Sequence, residues 1–147
     1  MVSLREYQQD HVKAVRAALI RNRRVIMTAP PGAGKTRMAK HIIDAKLSGP
    51  VREGQTGRVL FAVHRRGLVE NASQSFLESP SLDHGLIMSG IETSFSEKLQ
   101  VASIDTLNSW WCDGGEFKGY KFGLIIFGEF HAHSHKWQTF LKHPYKS

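Results

Sequence analysis

Apolar residues recur along this chain at helical spacing, then at strand-like spacing, and the alternation between the two carries the fold prediction. Ser3-Leu4-Arg5-Glu6 has the S-x-x-E spacing of a capping box, and Tyr7, Val12, Val15 and Leu19 follow it. Residues 3 to 20 are therefore predicted to form a helix. After the polar break Arg21-Asn22-Arg23-Arg24, the run Val25-Ile26-Met27-Thr28 is a strand candidate, and a Pro/Gly-rich turn leads into a helix from Lys35 to Leu47. There Met38, Ala39, Ile42, Ile43 and Leu47 form one apolar face, with Arg37, Lys40 and Asp44 expected to face outward. Gly49-Pro50 ends the helix, residues 51 to 57 are expected to be an exposed loop, and Val59 to Val63 to be a buried strand. A helix bearing Leu68, Val69, Ala72 and Phe76 comes next. Short strands are predicted at Leu86 to Met88 and Leu99 to Ala102, a short helix at Ile104 to Trp111, and a last strand at Leu124 to Phe127. Strands apolar on both faces that alternate with helices predict a parallel sheet covered on each side, a three-layer α/β domain.

Composition agrees with one such domain. The 147 residues fall within the usual single-domain range, and 41% hydrophobic against 22% charged residues is enough to bury a core. The longest apolar runs are far below the roughly 20 residues that cross a bilayer. The N-terminus lacks the layout of a secretory signal, so the expectation is an intracellular, cytoplasmic or nucleoid-associated protein. The single cysteine, Cys112, has no partner for an internal disulfide, which fits a reducing compartment. Twenty Lys and Arg against thirteen Asp and Glu leave a net charge of +7. An excess of this size concentrates polyanions around the chain, so nucleic acid is the expected partner; a basic surface that serves only solubility is the alternative.

The sharpest chemical signal is Ala29-Pro30-Pro31-Gly32-Ala33-Gly34-Lys35-Thr36, set between a predicted strand and a predicted helix. Glycines at 32 and 34 allow the backbone to curl so that successive N–H groups converge, and the helix N-terminus adds its partial positive charge. A triphosphate fits such a cradle. Lys35 would meet the β- and γ-phosphates, and the Thr36 hydroxyl would enter a Mg²⁺ shell, with Pro31, Ala33 and Arg37 completing the loop. A glycine-rich turn that binds nothing is the alternative. Ala29 stands where the general pattern has glycine.

The A-x-x-G-x-G-K-T form resembles the phosphate loop of superfamily 2 helicases, in particular the first RecA-like motor domain of DEAD/DEAH-type proteins in the type III restriction res-subunit and phage helicase-like branch. Other segments match that family in order. Leu4-Arg5-Glu6-Tyr7-Gln8 resembles its L-R-x-Y-Q segment, which implies that Gln8 reads the adenine edge of ATP; a glutamine amide offers the donor and acceptor pair this needs. Leu60 to Arg66 resembles a strand that ends in a basic turn, which implies phosphate-backbone contacts from Arg65 and Arg66, contacts that fix register and read no sequence. Val101 to Leu107 resembles a further strand-to-helix segment, in which Thr106 would support backbone contact.

Leu124-Ile125-Ile126-Phe127-Gly128-Glu129-Phe130-His131 lies where the family carries D-E-A-H or D-E-x-H. The resemblance makes Glu129 the general base and His131 the residue that couples nucleotide state to nucleic-acid contact. The aspartate that holds Mg²⁺ is replaced by Gly128. Hydrolysis is accordingly expected to be weak or absent while ATP binding persists, and Gly128→Asp is expected to raise turnover. The resemblance covers most of residues 3 to 137, and the family's next motif, Ser-Ala-Thr, and its second motor domain are not in the chain. In the family that second domain supplies arginine fingers, worth roughly 10³ to 10⁵ in rate for phosphoryl transfer. Two other readings stay open: a non-catalytic helicase-like interaction protein, and one half of a split motor whose partner carries the second domain.

Three features receive little weight. His131, His133 and His135 alternate as a metal-binding strand would, without an acidic or cysteine ligand beside them. Trp110-Trp111 would stack on bases or, more simply, pack in the core. Cys112 has no activating neighbour in the sequence.

Overall fold

The computed structural model describes residues 3–22, 34–51, 56–64, 66–90, 94, 96–112 and 122–128. The predicted strand at 25 to 28 and the predicted sites Pro31, Gly32, Ala33, Arg65, Glu129 and His131 lie outside these residues, as do the side chains of Trp110, Trp111 and Cys112. Helices α1 (Glu6–Arg21), α2 (Lys35–Ser48), α3 (Arg66–Leu77) and α4 (Ile104–Cys112) alternate with strands β1 (Val59–Val63), β2 (His84–Ile87), β3 (Leu99–Ser103) and β4 (Leu124–Phe127). The four strands form one sheet in the order β2-β3-β1-β4, and every pairing within it is parallel.

This order explains the layers. The chain leaves β1 through α3 toward β2 on one side, and leaves β3 through α4 toward β4 on the other. Crossovers of a single hand that travel in opposite directions must run over opposite faces. They do: Phe61, Val63, Leu99 and Val101 pack with Ala39 and Ile43 of α2 and with Val69, Ala72 and Phe76 of α3. On the other face, Leu60, Ala62 and Ala102 pack with Ile104 and Leu107 of α4. Strands β1 and β3 are buried at every position, as apolar runs without alternation predict, whereas edge strand β2 alternates half-buried with buried residues. Helix α1 joins through Val12, packed on Met38 and Ile42 and, with Leu124 and Ile126, toward β4.

Two expectations are corrected. Helix α1 begins at Glu6 rather than Ser3, because the capping contact forms further along: Arg5 occupies the N-cap, and its backbone N–H donates to Gln8 Oε1 at 2.9 Å. Lys40, expected to face outward, is buried at 8% exposure. Its Nζ donates to the Ser75 carbonyl at 2.9 Å and lies 3.4 Å from Ser75 Oγ, with the Glu78 carboxylate at 3.8 Å. Ser75 is in the last turn of α3, where the helix dipole favours a cation; its carbonyl also accepts from Glu78 N–H at 3.3 Å, and the ammonium adds a second donor from the flank of another helix. Lys40→Met keeps the aliphatic stem and removes the donor; it is expected to cost about 1 kcal/mol in urea unfolding, from the lost charge-assisted hydrogen bond, because the Ser75 carbonyl keeps the Glu78 N–H at 3.3 Å. Glu78 is largely exposed and adds little.

Candidate nucleotide-binding site

Parallel strands bring all their C-terminal ends to one edge of the sheet, the usual place for ligands in open α/β folds. There the structure gathers Thr36 from α2, Val63 from the end of β1 and Gly128 just past β4 around one cleft of about 240 Å³. Phe61 and the α3 residues Leu68, Asn71, Ala72 and Ser75 complete its walls. Thr36 and Gly128, 92 positions apart in sequence, thus line the same space.

Helix α2 starts from Gly34, whose φ of 81° and ψ of 43° are left-handed. A side chain there would be strained in the backbone, and its Cβ would also overlap Gln8 Nε2. Met38 N–H is the helix amide that closes onto the Gly34 carbonyl, at 3.0 Å. The amides of Lys35, Thr36 and Arg37 precede it and have no acceptor within the helix. These three residues are exposed, so the amides, the helix dipole and the Lys35 ammonium can all face one anion.

Gln8 is placed beside Gly34, but it is only 3% exposed and its Oε1 already accepts from Arg5. Arg66 is exposed at the start of α3; its guanidinium donates to the Ser89 carbonyl at 3.1 Å and lies 3.6 Å from Glu70. It therefore ties the turn after β1 to the turn after β2, and a guanidinium has further donors beyond these. Thr106 is buried at 8% exposure in the first turn of α4, so its hydroxyl is not offered to a ligand at the surface.

Six residues that line the cleft, Phe61, Val63, Leu68, Asn71, Ala72 and Ser75, were not singled out from the sequence as site residues. Asn71 and Ser75 put polar atoms on the cleft wall, and their i, i+4 spacing beside the apolar ridge of α3 was the available signal. Phe61 looked like ordinary strand core. Among the described residues no group of three or more His, Cys, Asp or Glu side chains could hold a metal. Glu97 has its carboxyl held below the usual range by hydrogen bonds from Ser94 and then Ser96, but it precedes β3 at the opposite edge of the sheet from the cleft.

Residues 1–146 match the family described as type III restriction enzyme, res subunit. The chain belongs to this family. It is also 31% identical over 114 residues to the type I restriction enzyme EcoKI endonuclease subunit of Escherichia coli K12, a match that covers 72% of this chain and 9% of that protein. A solved structure of a nuclease-deletion mutant of the type ISP restriction-modification enzyme LlaGI, in complex with a DNA substrate mimic, shares the fold. Its TM-score is 0.64 at 16% identity, covering 86% of this chain and 15% of that one. As a res-subunit relative the chain carries a helicase-type motor domain, and it spans about a tenth of the EcoKI subunit's length. No helix among the described residues is long and apolar enough to cross a membrane.

Proposed function

We propose that this domain binds ATP at the N-terminus of α2 and contacts the DNA backbone at the C-terminal edge of the sheet, with phosphoanhydride hydrolysis weak or absent. The observation that carries this reading is the shared cleft: Gly128 and Thr36, which follows the left-handed Gly34 by two residues, line one space. Pro31, Gly32, Ala33 and Gly34 cradle the phosphates through their backbone, Lys35 neutralises the β- and γ-phosphates, and Arg37 adds charge at the rim. Gln8, placed beside Gly34, is the group assigned to the adenine edge through its side-chain amide. Arg65 and Arg66 pair with DNA phosphates after β1; DNA is chosen as the polyanion because the LlaGI structure that shares the fold was solved with a DNA substrate mimic. Thr106 is left out of this surface because its side chain is covered.

The protein groups around the cleft do not fit a fully held magnesium ion. Thr36 offers one hydroxyl and position 128 offers no carboxylate. Glu129 follows directly in the chain as the group to orient an attacking water, and His131 as the link between nucleotide and DNA. With one anionic ligand missing, the metal is retained by the nucleotide more than by the protein, and turnover suffers more than affinity. The absent carboxylate also favours a second reading, a domain that binds nucleotide as a structural signal within a larger assembly or beside a chain with a second motor domain.

Binding and turnover separate the two halves of the proposal. Fluorescent ATP-analogue anisotropy should show saturable binding, while phosphate release stays near background with or without duplex DNA. Rapid DNA-stimulated release would contradict the weak-hydrolysis half and leave the binding half standing.

A further inference from the structure

Replacing an aspartate by glycine removes a carboxylate and ordinarily leaves a hole. In this structure there is no hole at the β-carbon. Gly128 continues the β4 ladder, its N–H donating to the Ala62 carbonyl at 2.9 Å. Ile126, two residues earlier, is in register with Phe61, so a side chain at 128 would emerge on the same face as Ile126, toward α2 and α3. A β-carbon there would stand 2.6 Å from Val63 Cγ1 and 3.1 Å from Phe61 Cζ. Optimal carbon–carbon contact is about 3.5–4.0 Å, so the first of these is an overlap.

Neither neighbour can readily withdraw. Val63 is buried at the end of a central strand, and a β-branched side chain has little χ1 freedom. Phe61 is buried and held edge-on against Phe76, with ring centroids 5.2 Å apart at 77°. We infer that Val63 and Phe61 close position 128 to any side chain, so that the loss of the metal carboxylate is built into the packing of the β1–β4 pair and does not reside in Gly128 alone. The simple reversal expected from the sequence, Gly128→Asp, is then insufficient: it overpacks the strand pair before it can place a carboxylate. Restoring the ligand takes a paired change, with Val63→Ala removing the overlapping methyl and leaving Phe61 to yield a few tenths of an ångström.

The packing claim stands without any nucleotide and is tested by a thermal double-mutant cycle on the 147-residue chain. Gly128→Ala, which adds only the β-carbon, is expected to lower Tm by about 5 °C or more, and by less than about 2 °C when made in the Val63→Ala background. Equal shifts in the two backgrounds, or no shift in either, would overturn the inference. If Gly128→Ala is not recovered folded, recovery on adding Val63→Ala supports the inference and failure of that rescue opposes it. The metal consequence rests on the proposed nucleotide site and is read separately, by ATP-analogue affinity with and without magnesium. Gly128→Asp with Val63→Ala should bind about tenfold more tightly with magnesium than without, and Gly128→Asp alone should not. Full magnesium dependence and an unchanged Tm in Gly128→Asp alone would refute the closure. Absence of nucleotide binding in every variant would refute the proposed site instead, and the thermal cycle would still decide the packing.

Discussion

Gly34→Ala is expected to lower stability by about 2–3 kcal/mol and to abolish ATP binding in the same stroke. A left-handed backbone costs an L-residue roughly 1–2 kcal/mol, and the new Cβ would overlap the Gln8 amide. Gln8 can move aside only by giving up the hydrogen bond from Arg5 N–H that starts α1, a further loss of about 1 kcal/mol. The two costs can be separated. In a Gln8→Ala background the overlap is gone and the backbone strain remains, so Gly34→Ala should then cost only about 1–2 kcal/mol in denaturant unfolding. Strict additivity of the two substitutions would mean that Gln8 does not press on the loop. Binding fails because the amides of Lys35, Thr36 and Arg37 take their direction from the Gly34 turn.

The largest loss of stability is expected at Phe76. It is fully buried on α3, edge-on to Phe61 and to His84, with centroids at 5.2 and 5.8 Å. Phe76→Ala should cost about 3–5 kcal/mol, the range for deleting a core phenylalanine, against a total of about 5–15 kcal/mol for a typical domain. Phe76→Leu, which keeps most of the volume, should cost clearly less. The effect reaches the site, because Phe76 supports the ring of Phe61 and Phe61 forms one wall of the cleft. Urea midpoints for the pair of variants measure it, and equal midpoints would show that this core tolerates collapse around the missing ring.

Much of this was legible in the sequence because it depends on local pattern. Val59–Val63 and Leu124–Phe127 appear as strands at their predicted limits, since an unbroken apolar run bounded by polar residues has few other solutions. Lys35 begins its helix as predicted because Gly34 leaves the helical region of backbone space immediately before it. The failures concern choices between competing polar partners. Ser3 and Glu6 have the spacing of a capping box, but Gln8 made the bond, and no pattern of residue types decides between two eligible acceptors. Lys40 looks outward on a helical wheel; only the arrival of the α3 C-terminus at its flank makes burial favourable. In the proposed site, the reading of Gly128 as a missing carboxylate comes from the family resemblance in the sequence. The crowding by Val63 and Phe61 was not legible there, because it follows from strand register and side-chain packing between segments more than sixty residues apart.

The central claim is that the turn at Gly34 and Lys35 is a working phosphate site, and a calorimetric titration of ATP with magnesium into the chain, repeated with Lys35→Ala, tests it most directly. Removing one charge-assisted phosphate contact of this kind costs about 1.5–3 kcal/mol, or roughly ten- to a hundredfold in affinity. The account predicts saturable heat at micromolar to low-millimolar ATP for the native chain, corresponding to about −8 to −4 kcal/mol, and for Lys35→Ala an affinity roughly ten- to a hundredfold weaker. Equal binding by both proteins, or binding by neither, would contradict it.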